Sequence, residues 1–173
     1  MSRRLFLFRH GKSDWDAPFE RDHDRPLSLR GERDAQNMGM LLALSGTRLP
    51  GLVICSTALR ARATLDLALR AGDWAPDVRF SDALYQATVA QVLEFIRDLP
   101  DQHDRIMLVG HEPTWSGLVH ALTGGRVRMP TAGMARLDLE ADGWRDVEEG
   151  RGELVWLLQP AFFRRFRYGD RRR

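Results

Sequence analysis

Leu5-Phe6-Leu7-Phe8 sets four large apolar side chains in a row, and Arg9-His10-Gly11 ends the run abruptly. A strand without polar alternation cannot keep one face in water. It must be covered on both sides, as strands of a parallel sheet flanked by helices are. Residues 52–55 (Leu-Val-Ile-Cys) and 106–109 (Ile-Met-Leu-Val) repeat the pattern. Helical spacing fills the gaps between them. Ser28 is a candidate cap ahead of Ala35, Met38, Leu41 and Leu42. A second helix is expected over 58–71, and a third on the face made by Val89, Val92, Leu93 and Ile96. Pro113 suits the first turn of a fourth, which runs to about residue 122 and ends at Gly124-Gly125. Residues 78–80, 135–139 and 153–158 read as further strands, with Asp142-Gly143 as the turn between the last two. The expected class is α/β: a three-layer sandwich with a mostly parallel central sheet and helices on both faces.

A chain of 173 residues can bury one sizeable core. One catalytic domain is expected over 1–160, with a basic C-terminal tail over 161–173. All but one of the 26 basic residues are arginine, and the excess gathers at Arg164, Arg165, Arg167, Arg171, Arg172 and Arg173. Such a run reads first as a solvated tail, and otherwise as a contact for an acidic partner. No nucleic-acid motif accompanies it, so no nucleic acid is expected. No apolar run reaches the roughly 20 residues of a membrane span, and Arg9 interrupts the only early apolar stretch before it could act as a signal segment. A soluble, cytoplasmic protein without membrane association is therefore expected. The single cysteine, Cys55, excludes an internal disulfide and reads as core packing.

Three strand ends carry polar groups out of keeping with the apolar runs before them: Arg9-His10-Gly11, then Ser56 with Arg60 after it, then Gly110-His111-Glu112-Pro113. In a parallel sheet these ends share one edge, the edge where such folds bind ligands. Two arginines offer permanent donor forks suited to phosphate. One histidine can supply a nucleophilic nitrogen and the other a second donor. Two helix starts facing the same point would favour an anion further. Phosphoryl transfer needs little beyond such positioning and charge stabilisation. No Cys/His cluster has zinc-site spacing and no acidic cluster has magnesium-ligand spacing, so neither metal nor cofactor is expected.

These motifs resemble those of the histidine phosphatase superfamily, which includes cofactor-dependent phosphoglycerate mutase, and within it the compact SixA-type phosphohistidine phosphatases. Arg9-His10-Gly11 is similar to the first signature. Ser56, Arg60, Ala61 and Thr64 match the second, with Thr57 where the family has proline. Gly110-His111, continued by Glu112-Pro113, matches the third. Asp24-Arg25-Pro26-Leu27-Ser28 with Gly31, and Leu84-Tyr85, also resemble SixA-like stretches. The resemblance implies a phosphoglycerate mutase-like fold and a phosphohistidine intermediate on His10. Arg9, Arg60 and His111 would hold the phosphoryl group. Gly11, Ser13 and Ser56 are further candidates for touching substrate.

One departure bears on the substrate. Larger family members carry a glutamate general acid ahead of the third helix, and residues 82–88 contain none. An imidazole, whose conjugate acid has a pKa of about 6.5, can leave without a dedicated acid, whereas an alkoxide cannot. A phosphohistidine-bearing protein, such as a phosphotransfer domain, is thus the expected partner. Asp14, Asp16, Glu20, Asp22 or Asp24 could instead supply a proton from the first loop, or simply face water. A small phosphoester substrate, and a non-catalytic module that binds phosphorylated partners, remain alternatives. His120 reads as structural, His23 as water-facing or else as approaching the pocket from the first loop, and Trp15 with Phe19 as either a recognition surface or partial core.

Overall fold

In the computed structural model, which describes residues 2–166, the apolar runs are strands whose side chains alternate between two covered faces. The strands are β1 (Arg3–Arg9), β2 (Leu52–Ser56), β3 (Asp77–Ser81), β4 (Arg105–Gly110), β5 (Met134–Leu139) and β6 (Gly152–Leu158). They form one sheet in the order β3-β2-β4-β1-β5-β6. The first four are mutually parallel, while β5 runs antiparallel to both β1 and β6.

Phe6, Phe8, Val53, Cys55, Met107 and Val109 point to one face. Helices α1 (Leu29–Leu44) and α2 (Leu59–Gly72) cover it with Met38, Leu42, Ala61 and Leu65. Leu5, Leu7, Leu52, Ile54, Ile106 and Leu108 point to the other, beneath α3 (Val89–Arg97) and α4 (Thr114–Thr123). Each such side chain, fully buried, contributes about 1.5–3 kcal/mol. The expected three-layer sandwich is therefore the observed one, and both covered faces follow from unbroken apolar strands.

The helix ends follow their local chemistry. Ser28 accepts from the Gly31 amide and donates to the Lys12 carbonyl, which ties the start of α1 to the loop after β1. Thr88 and Gln91 form a reciprocal capping box at α3. Gly124 closes α4 at φ 72°. Gly39 lies where α1 crosses α2, and a Cβ there would come within 2.1 Å of the Ala68 carbonyl oxygen.

Two expectations need correction. Asp142-Gly143 does not join β5 to β6 as a tight turn: residues 140–151 connect them and include a short 3₁₀ turn, Trp144–Asp146. Trp144 is the reason. Its ring is wholly buried, its indole N–H donates to the His103 carbonyl at 2.8 Å, and its backbone N–H donates to Asp101 at 2.9 Å. The tail assigned to 161–173 begins, as far as residue 166, within α5 (Pro160–Phe166), and Phe163 packs on the α1/α2 face. The arginines at 167 and beyond lie outside the described residues. No helix among the described residues is long and apolar enough to cross a membrane. Cys55 is buried, as expected, and burial pushes its thiol pKa up.

Candidate active site

β4 lies between β2 and β1, so the carboxyl ends of these three parallel strands are adjacent. His10 follows β1, Ser56 ends β2 and His111 follows β4. The His10 and His111 rings meet with centroids 5.1 Å apart. Arg60, in the first turn of α2, points its Nε at His10 Nε2 across 3.4 Å. Arg9 completes the group from the end of β1, where its Nη1 donates to the Met129 carbonyl at 2.7 Å.

A hydrogen bond defines the tautomer of His10. The Gly11 carbonyl oxygen lies 2.7 Å from His10 Nδ1 and can only accept, so Nδ1 carries the proton. Nε2 is left with its lone pair, facing Arg60. His111 Nε2 meets the Ser56 hydroxyl at 2.8 Å, while its Nδ1 is buried without a partner. Arg9 Nε is likewise buried and unpartnered. Buried polar atoms are ordinarily satisfied. An oxyanion seated among these groups would answer both.

Electrostatics keep the rings neutral. Burial, above all, pushes His10 down to about 3, with His111, Arg60 and Arg9 adding to the effect and the Gly11 hydrogen bond opposing it. His111 is pushed down to about 4, by burial first and then by Arg60, with Asp22 opposing. Burial also lowers Arg9, although Glu112 opposes it. The pocket thus holds cationic arginines and two neutral rings.

The first loop adds residues whose roles single motifs did not reveal. Asp22 reaches over the site: its carbonyl accepts from Arg60 Nη1 at 2.6 Å and its carboxylate from Arg60 Nη2 at 2.9 Å. The same carboxylate accepts from Arg25 Nη2 at 2.8 Å and from the Tyr85 hydroxyl at 3.1 Å. Burial tends to raise the Asp22 pKa, but Arg25, Arg60 and Tyr85 outweigh it and the net shift is downward. Asp22 is therefore an ionised clamp on Arg60 rather than a source of protons. Arg25 is itself buried, donates to the Ser13 hydroxyl, and lies 3.6 Å beneath the exposed Trp15 ring. The signals for these residues were their membership of the acidic loop and of the stretch ending at Ser28.

The remaining candidates divide. Ser13 is engaged with Arg25, and Ser56 with His111. Gly11 is not in a left-handed conformation; a Cβ there would press to 2.7 Å from the Gly31 carbonyl oxygen, so its smallness serves contact with α1. Its N–H donates to Thr64 Oγ1 at 2.9 Å, and that hydroxyl donates to the Arg60 carbonyl at 2.6 Å. The start of α4 does not present all its amides to the pocket as expected, because Glu112 accepts from the Ser116 amide and hydroxyl. His120 is exposed. His23 is not simply water-facing: its ring stands edge-on to Tyr85 with centroids 5.0 Å apart, and it bonds Thr57 at 3.0 Å. Trp15 is 64% exposed and packs edge-on to Phe19, so it belongs to the surface, not the core. Among the described residues no cluster of three or more His, Cys, Asp or Glu is arranged to hold a metal ion.

A family profile described as histidine phosphatase superfamily (branch 1) matches residues 5–85, which carry Arg9, His10 and Arg60. An uncharacterised Mycobacterium tuberculosis protein is 39% identical over 165 residues, covering 88% of this chain and 99% of its own length. The solved structure of an Agrobacterium tumefaciens protein assigned as the phosphohistidine phosphatase SixA superposes with a TM-score of 0.78 at 32% identity, covering 92% of this chain and 99% of that one. The chain belongs to the histidine phosphatase superfamily. Within that superfamily it is of SixA type and has the phosphoglycerate mutase-like fold. A SixA-assigned protein of Nakamurella multipartitia is also similar, with a TM-score of 0.79 at 29% identity, covering 92% of this chain and 97% of that one. This histidine phosphatase is accordingly an enzyme, a phosphatase. The profile stops at residue 85, so His111 joins the site through the adjacency of β4 and β1 rather than through the matched segment.

Proposed function

We propose that this phosphatase hydrolyses phosphohistidine on a signalling protein by way of a phosphohistidine intermediate at His10. The observation that carries the reading is the His10 hydrogen bond to the Gly11 carbonyl, which holds the Nε2 lone pair toward Arg60. Arg9, Arg60 and His111 bind the phosphoryl oxygens, His10 Nε2 attacks phosphorus, and water then displaces phosphate from His10. The arginines spread the charge of the transferring group, as phosphoryl transfer requires. Once a dianion enters, its field favours a proton on His111, which then becomes a further donor.

The substrate class rests on the leaving group. Asp22, the first-loop acid that reaches Arg60, is held as a carboxylate by Arg25, Arg60 and Tyr85, so it is no ready proton donor. An imidazole leaves without one. Similarity to two SixA-assigned proteins supports the same class. The cleft beside His111, about 700 Å³, favours a second reading, a small phosphoester, because a compact organic group would fit there.

A competition panel decides between them. Histidine-phosphorylated transfer domains, sugar phosphates and glycerate phosphates are offered to the enzyme at equal concentration. The phosphohistidine proteins are expected to show kcat/KM at least about tenfold above any small ester. Preference for a sugar or glycerate phosphate would overturn the assignment in favour of the small-molecule reading.

A further inference from the structure

The cleft that opens from Arg60 and His111 has walls of unequal charge. Tyr85, Val89, Pro113 and Gly117 supply its apolar lining. Its only arginine among the described residues, Arg60, is already bound by Asp22. The helix starts that border it are closed by their own side chains, α3 by Thr88 and Gln91, α4 by Glu112. Glu112 is the remaining charged group on the wall. It accepts at 2.6 Å from the Ser116 hydroxyl and, more weakly, at 3.4 Å from the Ser116 amide, and it makes no ion pair among the described residues. A carboxylate has about four acceptor sites, so Glu112, which lines the cleft, retains acceptor capacity.

We propose that Glu112 determines leaving-group specificity: it accepts a hydrogen bond from the distal ring N–H of the departing imidazole. The inference rests on the phosphohistidine reading above and names the residue that would enforce it. The logic is the one the enzyme applies to its own nucleophile. His10 gives up a phosphoryl group as a neutral ring because Gly11 holds a proton on its distal nitrogen. A substrate ring protonated at its distal nitrogen is in the same position. As the P–N bond breaks, its electron pair returns to the ring, which departs neutral and keeps that distal proton. The lone pair of His10 Nε2 meanwhile forms the new P–N bond, and His10 acquires the positive charge. No proton crosses in the step. Glu112 favours the cationic ring form of the substrate, and by the same charge it repels leaving groups that carry carboxylate or phosphate.

The test compares N-phosphoimidazole, p-nitrophenyl phosphate and 3-phosphoglycerate on the wild type, Glu112→Gln and Ser116→Ala. Glu112→Gln should lower the kcat/KM ratio of N-phosphoimidazole to p-nitrophenyl phosphate about tenfold and raise activity toward 3-phosphoglycerate. Ser116→Ala loosens the carboxylate's support but keeps its charge, so the ratio should hold even if all rates fall. Any loss transmitted through Arg9 would likewise act on every substrate and leave the ratio alone. An unchanged ratio in Glu112→Gln would overturn the inference while leaving the phosphohistidine reading intact. Failure of the wild type to accelerate N-phosphoimidazole hydrolysis would instead remove the reading beneath it.

Discussion

At the residue scale, the site depends on a few hydrogen bonds that assign each group one task. His10 is held in a single tautomer by a backbone carbonyl, which side-chain substitution nearby cannot remove. Replacing His10 by alanine should therefore abolish the intermediate and lower turnover of p-nitrophenyl phosphate by roughly a thousandfold or more. Steady-state kinetics measure the rate, and mass spectrometry without acid treatment follows the phosphorylated enzyme. Appreciable turnover in that variant would refute a His10 intermediate. Asp22 admits a finer prediction. It fixes Arg60 through both its carbonyl and its carboxylate, and Asp22→Asn keeps the carbonyl contact but removes the side chain's charge and one of the two oxygens that Arg25 and Arg60 share. The variant is expected to show a several-fold rise in KM with a smaller change in kcat, since a looser Arg60 weakens phosphoryl binding before it weakens chemistry. A fall confined to kcat would mean that Asp22 acts in the chemical step.

At the element scale, close backbone approach sets where the loops lie. Gly31, in the first turn of α1, could not carry a Cβ, which would come within 2.1 Å of the Lys12 carbonyl oxygen. That approach presses the loop after β1 against α1. The Gly11 amide bond to Thr64 then ties the loop to the first turns of α2. Gly39 plays the same part between α1 and α2. Gly39→Ala should push the helices apart and cost about 2–3 kcal/mol, read as a lowered midpoint in urea with an unchanged slope. Gly46, exposed and with nothing near its Cβ position, is a control for substitution in open space, though its φ of 70° makes alanine mildly strained there.

At the scale of the whole molecule, the buried histidines couple stability to pH. His111 titrates near 6.5 in an unfolded chain and at about 4 in the folded protein. Between those values the unfolded state binds the proton that the folded state refuses. The stabilising contribution is therefore full above about pH 6.5 and is lost as pH falls toward 4. His10, pushed down to about 3, acts in the same direction over a wider range. Melting temperature in phosphate-free buffer should fall across this window, and the slope should flatten in a His10→Asn/His111→Asn variant. A wild-type melting temperature that does not change across this window would mean that the rings titrate in the folded protein as they do in the unfolded chain. A bound oxyanion should reverse the effect by raising both pKa values. Binding of tungstate near pH 6 should then take up protons, seen as a calorimetric enthalpy that depends on the buffer's ionisation heat.

Much of this architecture was legible in the chain itself. Three unbroken apolar runs demanded a sheet covered on both faces, and the polar residues that ended them marked one edge as the site. Periodicity and caps located α1 to α4 because those signals act over a few residues. The connection through Trp144 was not legible, since its shape depends on a partner some forty residues away at His103. Asp22 was visible only as one of several first-loop acids, and Arg25 and Tyr85 only within stretches that resemble SixA-like ones; the network they form around Arg60 exists because separate segments are brought within hydrogen-bond distance of one another. The sequence alone determined which residue types stand at the strand ends, and so the chemistry available. Tertiary structure decided how those groups are charged and which of their atoms are free. Burial, and hydrogen bonds between segments distant in the chain, control protonation, and neither is a property of the local sequence.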